Sequence, residues 1–162
     1  MSTGAGWILL LPLALTCSMG CGGKGAQGKS ADATSAGQGT SDPGEQCLRD
    51  ARTKRHPPAD APERIEVRHI LVRHRELARP EGATRTPAEA CLRALQAIRR
   101  LEAGGEWPQV VTEFSDARND NLGSVARDEL SPTFADAAFE LSSGELSYVV
   151  ESDRGFHVIW RN

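Results

Sequence analysis

Val67-Arg68-His69-Ile70-Leu71-Val72-Arg73-His74 reads as a strand with an imidazole set into its apolar face. Side chains alternate along a strand, so Ile65, Val67, His69 and Leu71 share one side. A second stretch near the C-terminus repeats the device: Gly155-Phe156-His157-Val158-Ile159-Trp160. One histidine on each of these apolar strands places a polar pair inside a small core. The rest of the chain is what lies between and around them.

Composition divides the 162 residues in two. Residues 63–162 hold nearly all the Val, Ile, Leu, Phe and Trp in patterned segments. A domain of about 100 residues can bury an adequate core without metal or disulfides. A formal net charge of −3 and no long basic stripe exclude general nucleic-acid binding. The apolar run from Trp7 to Leu15 is too short to cross a bilayer and fits the core of an export signal. Cys17-Ser18-Met19-Gly20-Cys21 follows, and the pattern resembles a bacterial lipoprotein signal. Cys21, preceded by Gly20, is the expected lipidation site, with Cys17 the alternative. The expected organisation is a signal over residues 1–20, a disordered tether over 21–62 and a globular domain over 63–162. The tether is rich in Gly, Ser, Ala, Asp and Pro and cannot bury enough apolar surface to offset its conformational entropy. Cys47 and Cys91 have no metal-ligand spacing. An oxidising compartment would permit a disulfide between them, but the simpler reading is a small buried Cys91 and a loose Cys47.

Within the domain, Arg64 to His74 is the first strand and Arg75 to Arg85 a loop holding Pro80 and Gly82. The loop's arginines are either a solvated rim or an anion grip. Thr86-Pro87-Ala88-Glu89 opens a helix with a capping threonine, a proline at the first helical position and a glutamate closing the capping box. Cys91, Ala94, Leu95, Ile98 and Leu101 form its apolar face, and Gly104-Gly105 ends it. Trp107, Val110, Val111 and Phe114 mark a second helix. Asn121 to Val125 is a short strand or an extended turn, Asp128 to Thr133 a loop, and Phe134, Ala137, Ala138 and Leu141 the buried side of a third helix starting near Pro132. Leu146 to Val150 and Phe156 to Arg161 are strands joined by a hairpin turn. Helices between strands and a terminal hairpin predict an α+β fold with an antiparallel or mixed sheet.

Six motifs in register resemble the parvulin-type peptidyl-prolyl isomerases. They are Arg68-His69-Ile70-Leu71-Val72, Phe114-Ser115-Asp116, Leu122-Gly123, Pro132 to Phe139, Gly144-Glu145-Leu146-Ser147 and Gly155 to Ile159. The loop after His74, with Arg79-Pro80 and Thr84-Arg85-Thr86, is most similar to the branch that prefers a phosphorylated residue before proline. The resemblance implies a four-stranded antiparallel sheet surrounded by helices, with the site on its concave face. It puts His69 and His157 at the paired central histidines, and Leu122, Leu130 and Phe134 at the pocket for the proline ring. Ser131 falls beside that pocket, and Arg73 and Arg79 on two of three basic positions that grip an anion. The third is Ala78, and the polar catalytic position after Phe-Ser-Asp is occupied by Ala117.

The implied chemistry is rotation about an X-Pro bond without covalent intermediates, needing no cofactor and no metal. His74 faces away from His69 along the strand, which removes zinc binding by His69, His74 and His157 from consideration. The expected activity is isomerase turnover reduced by Ala117, with a preference for an acidic residue before proline. The competing expectation is a holdase that uses the same groove. Expected partners are proline-containing unfolded or exported polypeptides, and the membrane through the N-terminal lipid; no nucleic acid is expected. The protein is expected to be a monomer on the periplasmic side of a bacterial membrane, the outer one.

Overall fold

The computed structural model describes residues 42–162. The expected signal, Cys17, Cys21 and the tether up to residue 41 lie outside the described residues. The elements are α1 (Pro43–Ala51), β1 (Arg64–Val72), α2 (Pro87–Glu102), α3 (Trp107–Phe114), β2 (Asn121–Ala126), α4 (Pro132–Glu140), β3 (Val150–Ser152) and β4 (Gly155–Arg161). The strands form one sheet in the order β2-β1-β4-β3, with every neighbouring pair antiparallel. This is the α+β architecture expected.

Strand parity sends the two halves of the core to opposite faces of the sheet. Ile70 and Val72 of β1 and Phe156 and Val158 of β4 lie fully buried on the face covered by α2, with α1 and α3 beside it. α2 meets that face through Ala90, Cys91, Ala94, Ala97 and Ile98, and its small side chains let the helix axis approach the sheet closely. Its start is the predicted capping box: Glu89 N donates to Thr86 Oγ1 at 3.2 Å and Thr86 N to Glu89 Oε2 at 2.7 Å. Such a cap stabilises a helix by about 1 kcal/mol. On the other face Ile65, Val67 and Ile159 pack with Val125 under Phe134, Ala137, Ala138 and Phe139 of α4.

Three expectations change. The tether ends earlier than residue 62, because Pro43–Ala51 is a helix. Asp42 caps it by accepting from Gly44 N and Glu45 N, and Pro43 occupies its first turn. Cys47 is not loose: it is buried and disulfide-bonded to Cys91, which fixes α1 on α2. The strand expected over Leu146–Val150 is a single bridge, Leu146 to Trp160, followed by a short β3. Ser147 N donates to Ile159 O at 2.8 Å, but Ile159 N donates back to the Ser147 hydroxyl at 2.9 Å instead of a carbonyl. That exchange interrupts the ladder.

Candidate active site

The face under α4 is incompletely covered, and His69 and His157 lie where it opens. His157 of β4 pairs with Leu71 of β1 while His69 pairs with Ile159, so the histidines are diagonal neighbours on one face. Their rings are close to parallel, 15° apart in plane with centroids 5.4 Å apart, and their Nδ1 atoms are 3.2 Å apart.

The partners of the rings fix their protons. His69 Nε2 lies 3.2 Å from the Asn119 carbonyl oxygen, which can only accept, so Nε2 carries the hydrogen. Neutral His69 then offers a bare Nδ1, which accepts from His157 Nδ1. His157 Nε2, 2.7 Å from Ser152 Oγ, accepts from that hydroxyl. The result is a one-way chain from Ser152 to His157 to His69 to Asn119 in which every ring nitrogen is engaged. The electrostatics agree with two neutral rings. Burial, then the facing His69, then Arg154 and Arg73 hold His157 well below the usual imidazole range. Burial lowers His69 too, against the Asn119 carbonyl and Asp120, which favour its charged form.

Phe134, from α4, stands edge-on to both imidazoles, 5.0 Å from His157 and 5.8 Å from His69 between centroids. With Leu122 and Leu130 it walls a cleft of about 570 Å³ whose floor is the histidine pair. Leu122 reaches the cleft because β2 carries it as an extra residue. Val67 pairs with Gly123 and Arg68 with Asn121, leaving Leu122 between them in a bulge. Gly123 adopts φ +68°, the left-handed conformation that such a bulge needs and a side chain disfavours. Ser131 lines the cleft at the start of α4, and its hydroxyl does not cap that helix.

Ala117 lines the cleft, and its methyl offers no polar group at that position. The Phe114-Ser115-Asp116 motif holds this segment to the sheet. Ser115 Oγ accepts from Leu71 N and Ala117 N, each at 3.2 Å. Asp116 accepts from Arg73 N and Arg85 Nη1, each at 2.8 Å.

The arginines divide differently from expectation. Arg73 reaches the cleft, but its guanidinium is paired with Glu81 at 2.6 Å. Arg79 is exposed and lines a neighbouring cavity, not the cleft itself. Residues absent from the sequence reading complete the site: Ser152 and the Asn119 carbonyl close the histidine chain, and Arg118 and Arg154 stand in the cleft wall. Only Ser152 had a usable signal. A two-residue turn at Asp153-Arg154 pairs Ser152 with Gly155 and puts Ser152 on the face of His157. His74 is buried against Phe156, and among the described residues no cluster of His, Cys, Asp or Glu could hold a metal ion.

A four-stranded antiparallel sheet that opens a histidine-floored apolar cleft beneath one helix is a parvulin-type scaffold. The chain belongs to the family described as "Rotamase: PPIC-type PPIASE domain", which matches residues 69–162. It is 38% identical over 109 residues to "Peptidyl-prolyl cis-trans isomerase pin1" of Schizosaccharomyces pombe, covering 61% of this chain and 62% of that protein. It is also 38% identical over 102 residues to "Chaperone SurA" of Aromatoleum aromaticum, covering 60% of this chain and 22% of that protein. Among solved structures, peptidyl-prolyl isomerase ESS1 from Candida albicans matches with a TM-score of 0.55 and 25% identity, over 65% of each chain. The chain thus spans about three fifths of the fission-yeast relative and about a fifth of the chaperone. Helix α1 lies outside the family match.

Proposed function

We propose that this protein is a peptidyl-prolyl cis-trans isomerase that twists X-Pro bonds in a dry cleft. Amide resonance sets a barrier of about 20 kcal/mol, and each 1.4 kcal/mol or so removed from it is worth about tenfold in rate. No bond breaks, so the task is to bind the twisted amide better than either planar isomer. The wall of Leu122, Leu130 and Phe134 holds the proline ring while the chain before it rotates. Moving the carbonyl out of water disfavours the planar amide, whose resonance form is the more polar. Ser131, whose hydroxyl is not spent on its own helix, offers the carbonyl a donor at the cleft edge.

The observation that carries this reading is the saturated histidine chain. A general base needs a free nitrogen within reach of the proton it takes, and here all ring nitrogens are held and both rings are neutral. The pair acts as a fixed, oriented dipole and as the floor of the pocket, not as an acid or base.

The substrates are proline-containing exported polypeptides, with an acidic residue favoured before proline. The apolar run at Trp7 to Leu15 and the lipidation candidate Cys21 support export and anchoring of a monomer at the periplasmic side of the outer membrane. The Cys47–Cys91 disulfide supports an oxidising compartment. Unpaired cations in the cleft wall support the acidic preference. A second reading, a holdase using the same groove, is favoured by the missing polar group at Ala117 and by the likeness to a SurA chaperone.

Proline-limited refolding of a test protein separates the two. The wild type accelerates the slow phase, and Phe134→Ala abolishes most of that acceleration, roughly 100-fold in kcat/KM for misplacing the ring. Suppressed aggregation with no acceleration would replace the enzyme reading with the holdase.

A further inference from the structure

We propose that Arg154, at the tip of the β3–β4 hairpin, is the residue that selects an acidic side chain before proline. The inference rests on the isomerase reading above and assigns its specificity to a position outside the basic loop.

The charges of the cleft cancel except at two places. Arg73 is paired with Glu81 at 2.6 Å, and Glu129 with Arg64 at 3.0 Å. Among the described residues Arg154 and Arg118 make no ion pair, and both line the cleft. Each also lines an adjoining cavity: Arg118 one of about 310 Å³ that holds the Arg85–Asp116 pair, and Arg154 one of about 460 Å³ together with Arg79 and Asp153. Phe134, the Arg73–Glu81 pair and Arg154 line one cleft, so a peptide with its proline against Phe134 has Arg154 in the wall beside it.

The placement of Arg154 is built into the backbone. Its amide donates to Ser152 Oγ at 3.1 Å, the same hydroxyl that donates to His157 at 2.7 Å. The next residue is Gly155, at φ +129°, where a Cβ would meet the Val72 carbonyl oxygen at 2.5 Å. Only glycine lets the hairpin close this tightly on the end of β1. The turn thereby holds a free cation beside an apolar pocket and couples its position to the histidine chain. The recognised chemistry is a side-chain carboxylate, with Arg154 as a contact for specificity and not for the twist itself.

The test uses peptides differing only in the residue before proline: Glu-Pro, Ala-Pro and Lys-Pro. For the wild type at low salt the kcat/KM ratio of Glu-Pro to Ala-Pro should be roughly fivefold, the upper size of a partly exposed ion pair. It should shrink in 1 M NaCl, where screening acts over about 3 Å. Arg154→Ala should bring the ratio close to one, and Arg154→Glu should turn the preference to Lys-Pro. A wild-type ratio near one, or a ratio that survives Arg154→Ala, overturns the proposal. Should no peptide be turned over at all, the isomerase reading fails by itself. The affinities of the same labelled peptides, measured by fluorescence anisotropy, then judge Arg154 by the same ratios.

Discussion

The two faces of the sheet use the same strands for opposite ends. Towards α2, alternate residues of β1 and β4 are aliphatic or aromatic, dry and fully buried, and a disulfide ties α1 onto the covering helix. Towards α4, the next residues along are His69, Leu71 and His157, also buried but lining a cleft beside Phe134. The sealed face carries the packed core and the covalent staple between α1 and α2. The opposite face holds two imidazoles in one hydrogen-bonded order with a cavity beside them. The contrast predicts that damage to the sealed face is read in stability and damage to the open face in chemistry.

The largest effect should come from the staple. Replacing both Cys47 and Cys91 by Ala removes a cross-link between residues 44 apart, worth about 4 kcal/mol on a loop-closure estimate. Urea unfolding should show that loss, while the still-folded variant isomerises prolyl peptides within a few-fold of wild type. A parallel collapse of activity in the folded variant would break the separation of the faces. One route for such coupling exists: Arg52, just past α1, pairs with Glu151 at 2.5 Å, next to Ser152.

Acid comes next. Both buried histidines titrate below the ordinary value of 6.5 in the folded protein. As pH falls below 6.5 the unfolded chain takes up protons that the native state refuses, so stability falls with pH until the depressed native values are reached. The slope approaches about 1.4 kcal/mol per pH unit for each histidine. Glu89 and Glu129, whose carboxyls are held lower than usual by backbone amides, stay ionised across this window and do not contribute. Urea midpoints at pH 7.5, 6.5 and 5.5 should decline in the wild type and decline less in His157→Leu. Equal slopes in both proteins would show that His157 is not the group being titrated.

What the sequence disclosed follows the same division. Strands carrying histidines among apolar neighbours, the Thr86-Pro87-Ala88-Glu89 helix start and the Trp107 to Phe114 stripe were legible because local pattern and burial agree there. Helix α1 was not, although Asp42-Pro43 is a good helix start. Only Cys47 and Ala51 among its apolar side chains are buried, and it is held by packing on α2 and by a disulfide to a residue far along the chain. In the site, Phe134 and the histidines were legible as large residues in apolar settings. Asn119 was not, because it acts through its carbonyl, a group every residue owns. Nor does anything local announce that Glu81, at φ +46°, turns back to pair with Arg73.

The smallest expected effect probes position 117, where a methyl lines the cleft. Ala117 is held by its amide on Ser115 Oγ, so its side chain can be changed without loosening the segment. Ala117→Cys should raise kcat/KM on Ala-Pro peptides about threefold, equivalent to about 0.6 kcal/mol of transition-state stabilisation. Ala117→Asp should do the same for Ala-Pro but gain nothing on Glu-Pro, because its carboxylate repels the acidic side chain drawn in by the cleft cations. The aspartate also favours a charged His69, so the acid limb of its pH–rate profile should move to higher pH, while that of the cysteine variant stays put. The pair of variants therefore separates a polar contact at the twisting amide from a change in the histidine floor. If neither variant gains on Ala-Pro, the methyl at position 117 does not limit the rate, and the open face works through its pocket alone.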